Sequence, residues 1–137
     1  MMQIKRELKI AVCFLGIFIL ILYLLMILVT CPLVKEAKDV FCGKIPSSQI
    51  ENRAIAQYDN VDSLRRNGYD IKKIKLMFMR IFTFHNFVSR GFIQVFYSIE
   101  VYGNDDTLLY ASWYIPALWK IEKQNKGWEI IEINERP

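Results

Sequence analysis

The side chains able to do chemistry in this sequence are few and far apart. His85, in TFHNF, is the single histidine, and two of the three cysteines, Cys31 and Cys42, bracket the stretch CPLVKEAKDVFC. A histidine works as a general base when it reaches the proton it abstracts and a partner orients its ring, and no acidic residue stands near His85 in the chain to do this. It reads as a surface or rim residue near the end of a strand. Asp105 and Asp106 are adjacent carboxylates that could share acid and base roles, but GNDD has the composition of a turn. There is no Gly-rich phosphate loop, nucleophile elbow or close CxxC pair, and one histidine does not make a zinc set. The expectation is a protein without catalytic, metal or cofactor-binding residues, and not an enzyme.

The basic residues point to a surface more than to a reaction. Arg65, Arg66, Lys72, Lys73 and Lys75 cluster in RRNGYDIKKIK, interrupted by Asp70. Such a cluster either meets anionic lipid headgroups or is a solvated helix end and strand start. The formal charge is +4, and Lys5, Arg6 and Lys9 against Glu7 supply about half of it. The remainder of the chain lacks the strongly basic balance of a nucleic-acid-binding domain, so no nucleic acid partner is expected.

What must position these residues begins with an anchor. From Ile10 to Val29 the chain reads IAVCFLGIFILILYLLMILV without a charge, about 20 residues, which as a helix spans a hydrocarbon core of about 30 Å. A cleavable signal has a shorter apolar region of about 7 to 15 residues. We therefore expect a retained transmembrane helix over 8–30, with 1–7 as a cytoplasmic N-terminus and the lipid bilayer as its partner. The alternative is a lipoprotein cleavage before Cys31, although Thr30 occupies a position where a smaller residue is usual. Lys5, Arg6 and Lys9 precede the run, whereas Lys35 and Lys38 beyond it are interleaved with acids, so the positive-inside rule puts the C-terminal domain outside the cell membrane. Residues 31–46 read as a linker. Within it Cys31 and Cys42 either form a disulfide, as an exported loop allows, or are unrelated thiols.

Residues 47–137 read as one extracytoplasmic domain. Ser48 and Glu51 have capping-box spacing, and the apolar residues Ile50, Ala54, Ile55, Tyr58, Val61 and Leu64 predict one or two amphipathic helices that stop at Asn67-Gly68. Alternation then predicts four strands, in IKKIKLMFMRIFTF, FIQVFYSIEVY, TLLYASWYIPALWKIEK and WEIIEIN, with Pro116 marking a bulge or an edge. The fold class expected is α+β: a transmembrane helix, then one or two helices packed on a four-stranded antiparallel meander. Strict alternation puts Phe78, Phe82, Phe84 and Phe96 on a sheet face opposite Ile81, Val95, Ile99 and Val101. If uncovered, it would be an interaction surface for a homodimer or a membrane protein complex. It also places Arg80 opposite Glu100 as an ion pair.

The stretch LWKIEKQNKGWEIIEINE, a strand ending in Lys, a polar turn with Gly, then Trp-x-Ile and an acidic tail, resembles the C-terminal hairpin of nuclear-transport-factor-two-like domains. The likeness covers roughly Ser47 to Glu135 and is to small extracytoplasmic domains of Gram-positive bacteria that follow a membrane helix or lipoprotein signal. It implies a cone of long strands curled over helices. Its superfamily includes enzymes, ligand binders and secretion-channel scaffolds, so the fold alone does not select a function. Two expectations follow: a non-catalytic domain acting by association, or a small-ligand-binding or sensing domain using the mouth of the cone.

Overall fold

The computed structural model describes residues 1–136. Helix α1, Met2–Phe41, is followed by two short 3-10 turns, Ser47–Gln49 and Ile55–Tyr58, and helix α2, Asn60–Arg66. Four strands follow, β1 (Ile71–His85), β2 (Arg90–Gly103), β3 (Leu108–Gln124) and β4 (Gly127–Glu135), forming one antiparallel sheet in the order β1-β2-β3-β4. The long N-terminal helix and the α+β layout are as expected. By length and composition α1 is apolar enough to cross a membrane.

The helix does not end where the apolar run ends. It continues through Pro32 and the segment read as a linker, reaching Phe41 as one element of 40 residues, about 60 Å long. Pro32 removes one backbone donor, and the helix is carried past it by packing. Leu33, Val34, Ala37, Val40 and Phe41 recur at helical spacing and are all buried, while Lys35 and Lys38 stay in solvent. The stop comes at Gly43, with φ +66: its N–H donates to the Val40 carbonyl at 3.0 Å and that of Lys44 to Asp39 at 2.9 Å, a Schellman pattern. Cys31 and Cys42 therefore lie at different heights on one helix, about 16 Å apart, far beyond disulfide reach, and both are free thiols.

The expected helix from Ser48 forms only in fragments. Ser47, not Ser48, is the organising residue: its hydroxyl lies 2.6 Å from carboxylate oxygens of both Asp59 and Asp62, and its N–H donates to Asp62 at 3.1 Å. These bonds compete with a continuous helix and fold the segment back on itself. They also hold the Asp62 carboxyl below its usual range. The Asn67-Gly68 stop is as expected, with Gly68 at φ +88.

The core lies between one face of the sheet and the last three turns of α1. Ile93, Val95, Tyr97, Ile99 and Val101 alternate inward along β2, and Trp119, Ile121 and Ile130 join them from β3 and β4. Phe41 fills the centre, with its ring centroid 4.1 Å from Tyr58 and 4.7 Å from Tyr97. The indole N–H of Trp119 donates to the Tyr58 hydroxyl at 2.9 Å, so the one polar atom of this buried ring has a partner.

Two irregularities decide which side chains face out. Arg80 pairs with Val95 and Phe82 with Gln94, so Ile81 is an extra residue in β1. A bulge of this kind reverses the alternation beyond it. Phe78, opposite Tyr97, points into the core and lies 5.7 Å from Trp119, whereas Phe82 and Phe84 lie on the outer face. The second bulge is in β3: Ile115 pairs with Tyr97 and Ser112 with Ile99, leaving Trp113 and Tyr114 together opposite Ser98. Pro116 follows directly, where β4 has ended and β3 becomes an edge.

Candidate functional site

Two groups of residues stand out once the chain is folded. The first is a polar junction at the point where α1 meets β1. Thr30 is fully buried, with its hydroxyl 2.9 Å from the Met26 carbonyl and 3.1 Å from that of Ile27. Arg80 donates to the Ile27 carbonyl and to the Thr30 hydroxyl, each at 3.0 Å. The expected pair of Arg80 with Glu100 does not form, because register puts Lys75 opposite Glu100. On the inner face, Arg80 meets the helix in the turn before Pro32, where its guanidinium binds one backbone carbonyl and one hydroxyl.

His85 completes this junction and is no rim residue: it is fully buried. Its Nδ1 accepts the Phe87 N–H at 3.0 Å, which leaves Nε2 to carry the proton and face the Met26 carbonyl at 3.3 Å. The ring packs between Phe87 and Trp128, with both centroids at 4.6 Å. Both nitrogens are thus committed to backbone groups, and the imidazole ties the β1–β2 turn to α1. Sequence spacing missed this because both partners, Met26 and Trp128, are distant in the chain.

Burial also depresses the His85 pKa below 6.5. A histidine held neutral contributes stability that is present above its unfolded value of about 6.5 and lost as pH falls through the lower folded value. We therefore expect the melting temperature of the full chain in detergent to fall between pH 7 and 5, and His85→Gln, which retains a donor for Met26, to flatten that dependence. An unchanged slope in the variant would mean that His85 is not the titrating group.

The second group is on the outer face. Trp113 and Tyr114 are 53% and 70% exposed, beside Met77 and Met79 of β1 and the half-buried Phe96 of β2. Tyr114 has φ 55, a conformation that costs a bulky residue about 1 to 3 kcal/mol, and its N–H is held by the Ser98 hydroxyl at 2.7 Å. Glu100 fixes the edge of the patch, accepting from Tyr102 at 2.6 Å and from the Trp113 indole at 3.0 Å. These bonds, with Lys75 nearby, hold its carboxyl below the usual range. The depression among Lys75, Met77, Ser98, Glu100, Trp113 and Tyr114 is about 290 Å³ and open to solvent.

Of the residues singled out from the sequence, Phe82, Phe84 and Phe96 share the outer face and Phe78 does not. The basic cluster is dispersed into separate contacts. Arg65 donates to the Gly43 carbonyl at 2.7 Å, Arg66 bridges Asp59 and Asp62, and Lys72 pairs with Asp106 at 3.1 Å. Lys75 turns to Glu100 at 3.7 Å, while Lys73 is exposed. Asp106 lies in the β2–β3 turn at φ 57, as the composition of GNDD suggests. Among the described residues no three His, Cys, Asp or Glu side chains are grouped to hold a metal ion. Set against known protein families, curated proteins and solved structures, the chain matches none.

Proposed function

We propose that this is a single-pass, membrane-anchored, non-catalytic protein whose extracytoplasmic domain acts by association, with a second copy or within a membrane protein complex. The observation that carries this reading is the β3 bulge. It spends backbone strain to hold Trp113 and Tyr114 side by side in solvent, next to Met77, Met79 and Phe96. Exposed aromatic residues on a rigid, bulged strand are the usual anchors of a protein interface. The continuous helix supports the same reading, because a domain rigidly joined to its anchor presents this face in one orientation to neighbours in the membrane plane.

The charge asymmetry of Lys5, Arg6 and Lys9 supports a cytoplasmic N-terminus. The helix laid across a four-stranded meander supports the nuclear-transport-factor-two-like relationship as a proposal. Ligand sensing through the mouth of a cone is the weaker reading, because Phe41, Tyr58, Tyr97 and Trp119 fill the space between helix and sheet.

The test is photo-crosslinking of the full chain in its native membrane, with a photoreactive residue at Tyr114 and a control at Asn104 in the opposite turn. A discrete adduct from position 114, twice the 16.2 kDa monomer or larger by one partner, and absent from position 104, is expected. Trp113→Ala should abolish it while leaving the melting temperature within about 1 kcal/mol equivalent of wild type, as for an exposed side chain. Equal diffuse labelling from both positions would refute the interface.

A further inference from the structure

We propose that the β1–β2 hairpin end is a second membrane contact, with Phe82, Phe84, Phe87 and Val88 seated among the lipids of the leaflet from which α1 emerges. This rests on reading α1 as bilayer-spanning. The first support is position. The hairpin end touches the helix inside its uncharged run, not above it: Phe82 stacks on Tyr23 at 5.8 Å and His85 faces the Met26 carbonyl. Tyr23 precedes Val29, the last residue of that run, by six residues, roughly 9 Å of helix. If the run fills the hydrocarbon core, this end of the sheet lies at or below the lipid surface. That depth matches the ~5–10 Å to which interfacial elements bury their apolar side.

The second support is the side chains. Phe82, Phe84 and Phe87 are exposed and Val88 is 74% exposed, forming with Phe92 an apolar tip continuous with the lipid-facing surface of the helix. Arg90 and Lys123, both exposed at this end of the sheet, supply cations for headgroup phosphates.

The third is the backbone. A loop in water can leave its N–H groups to solvent, but a loop in lipid cannot. Every N–H from Asn86 to Arg90 is satisfied within the protein. Asn86 donates to the Arg90 carbonyl at 3.0 Å and Phe87 to His85 Nδ1 at 3.0 Å, while Val88, Ser89 and Arg90 all donate to the Asn86 side-chain oxygen at 2.8 to 3.1 Å. The tip therefore presents apolar side chains around a loop whose backbone N–H donors are all taken up inside the protein.

The experiment uses the full chain in vesicles of phosphatidylcholine and phosphatidylglycerol, with Cys13, Cys31 and Cys42 replaced by Ala. Single cysteines introduced as Val88→Cys, Ile17→Cys and Asn104→Cys carry an environment-sensitive fluorophore, challenged with acyl-chain spin labels or aqueous iodide. We expect the label at 88 to lose most of its emission to the lipid quencher, as at 17, and the label at 104 to respond only to iodide. Lipid quenching at 17 with iodide quenching at 88 would overturn the hairpin contact and leave the anchor standing. Protection at 88 from both quenchers would overturn it in favour of a protein neighbour. Absence of lipid quenching at 17 would overturn the anchor and this proposal together.

Discussion

Removing residues 1–45 should unfold the domain, whereas removing 1–29 should not. The sheet has one covered face, and its cover is the end of α1: Leu33, Val34, Ala37, Val40 and Phe41 are buried against Tyr58, Tyr97 and their neighbours. A chain beginning at Pro46 leaves that face in water and loses the apolar burial that holds the strands together, at roughly 25 cal/mol per Å². A chain beginning at Thr30 keeps the packed turns and loses only exposed helix and the contacts of Tyr23 to Ile27. Near-ultraviolet circular dichroism should show tertiary structure for the longer chain alone. In the intact protein, Phe41→Ala should cost about 3 to 5 kcal/mol, the range for deleting a large aromatic core side chain. A loss under about 1 kcal/mol, measured by urea unfolding in detergent, would mean that helix and sheet are not one cooperative unit.

The second large effect is expected from adding a single carbon at Gly91. This residue pairs with His85, and a Cβ built there would overlap the Phe84 carbonyl oxygen and the His85 Cβ, and lie 2.7 Å from the His85 Cα. Most of these atoms are backbone or attached directly to it, so no rotamer change relieves the overlap and the two strands must part. Gly91→Ala should destabilise the chain by about 1 to 3 kcal/mol or more, as overpacking does. The loss should be local first: the amides of Phe87, Val88, Ser89 and Arg90 should lose hydrogen-exchange protection, because His85 and Asn86 could no longer hold them. Gly16→Ala, where nothing lies within 4 Å, should be neutral and serves as the control. Equal protection at the hairpin in Gly91→Ala would mean that the sheet absorbs the methyl by sliding, and that His85 is not locked as described.

Local pattern was enough for the elements whose cause is local. A run of uncharged residues from Ile10 to Val29 makes a long apolar helix whatever surrounds it, and alternation along β2 assigns Ile93 to Val101 inward because strand geometry repeats every two residues. Asn67-Gly68 stops α2 because glycine adopts positive φ freely, and GNDD turns for related reasons. The continuation of α1 to Phe41 was also written in the spacing of Leu33, Val34, Ala37, Val40 and Phe41. Pro32 masked it, because a proline commonly ends a helix when nothing packs against the next turns.

Tertiary structure decided the rest. Whether Phe82 and Phe84 face outward depends on one extra residue at Ile81, and a bulge is a relation between two strands that neither strand encodes alone. The β1–β2 hairpin closes with His85 opposite Gly91, too early for Arg80 to reach Glu100, so Arg80 falls opposite Val95 and its guanidinium binds the carbonyl of Ile27, 53 positions earlier in the chain. His85 became a buried hinge pin because Met26 and Trp128 converge on it from α1 and β4. Sequence by itself determined which segments coil and which extend, since those preferences are set within a few residues. Which polar side chains are buried, and which aromatic ones are left exposed, required the helix to be laid on the sheet, because burial is a property of what arrives from elsewhere in the chain.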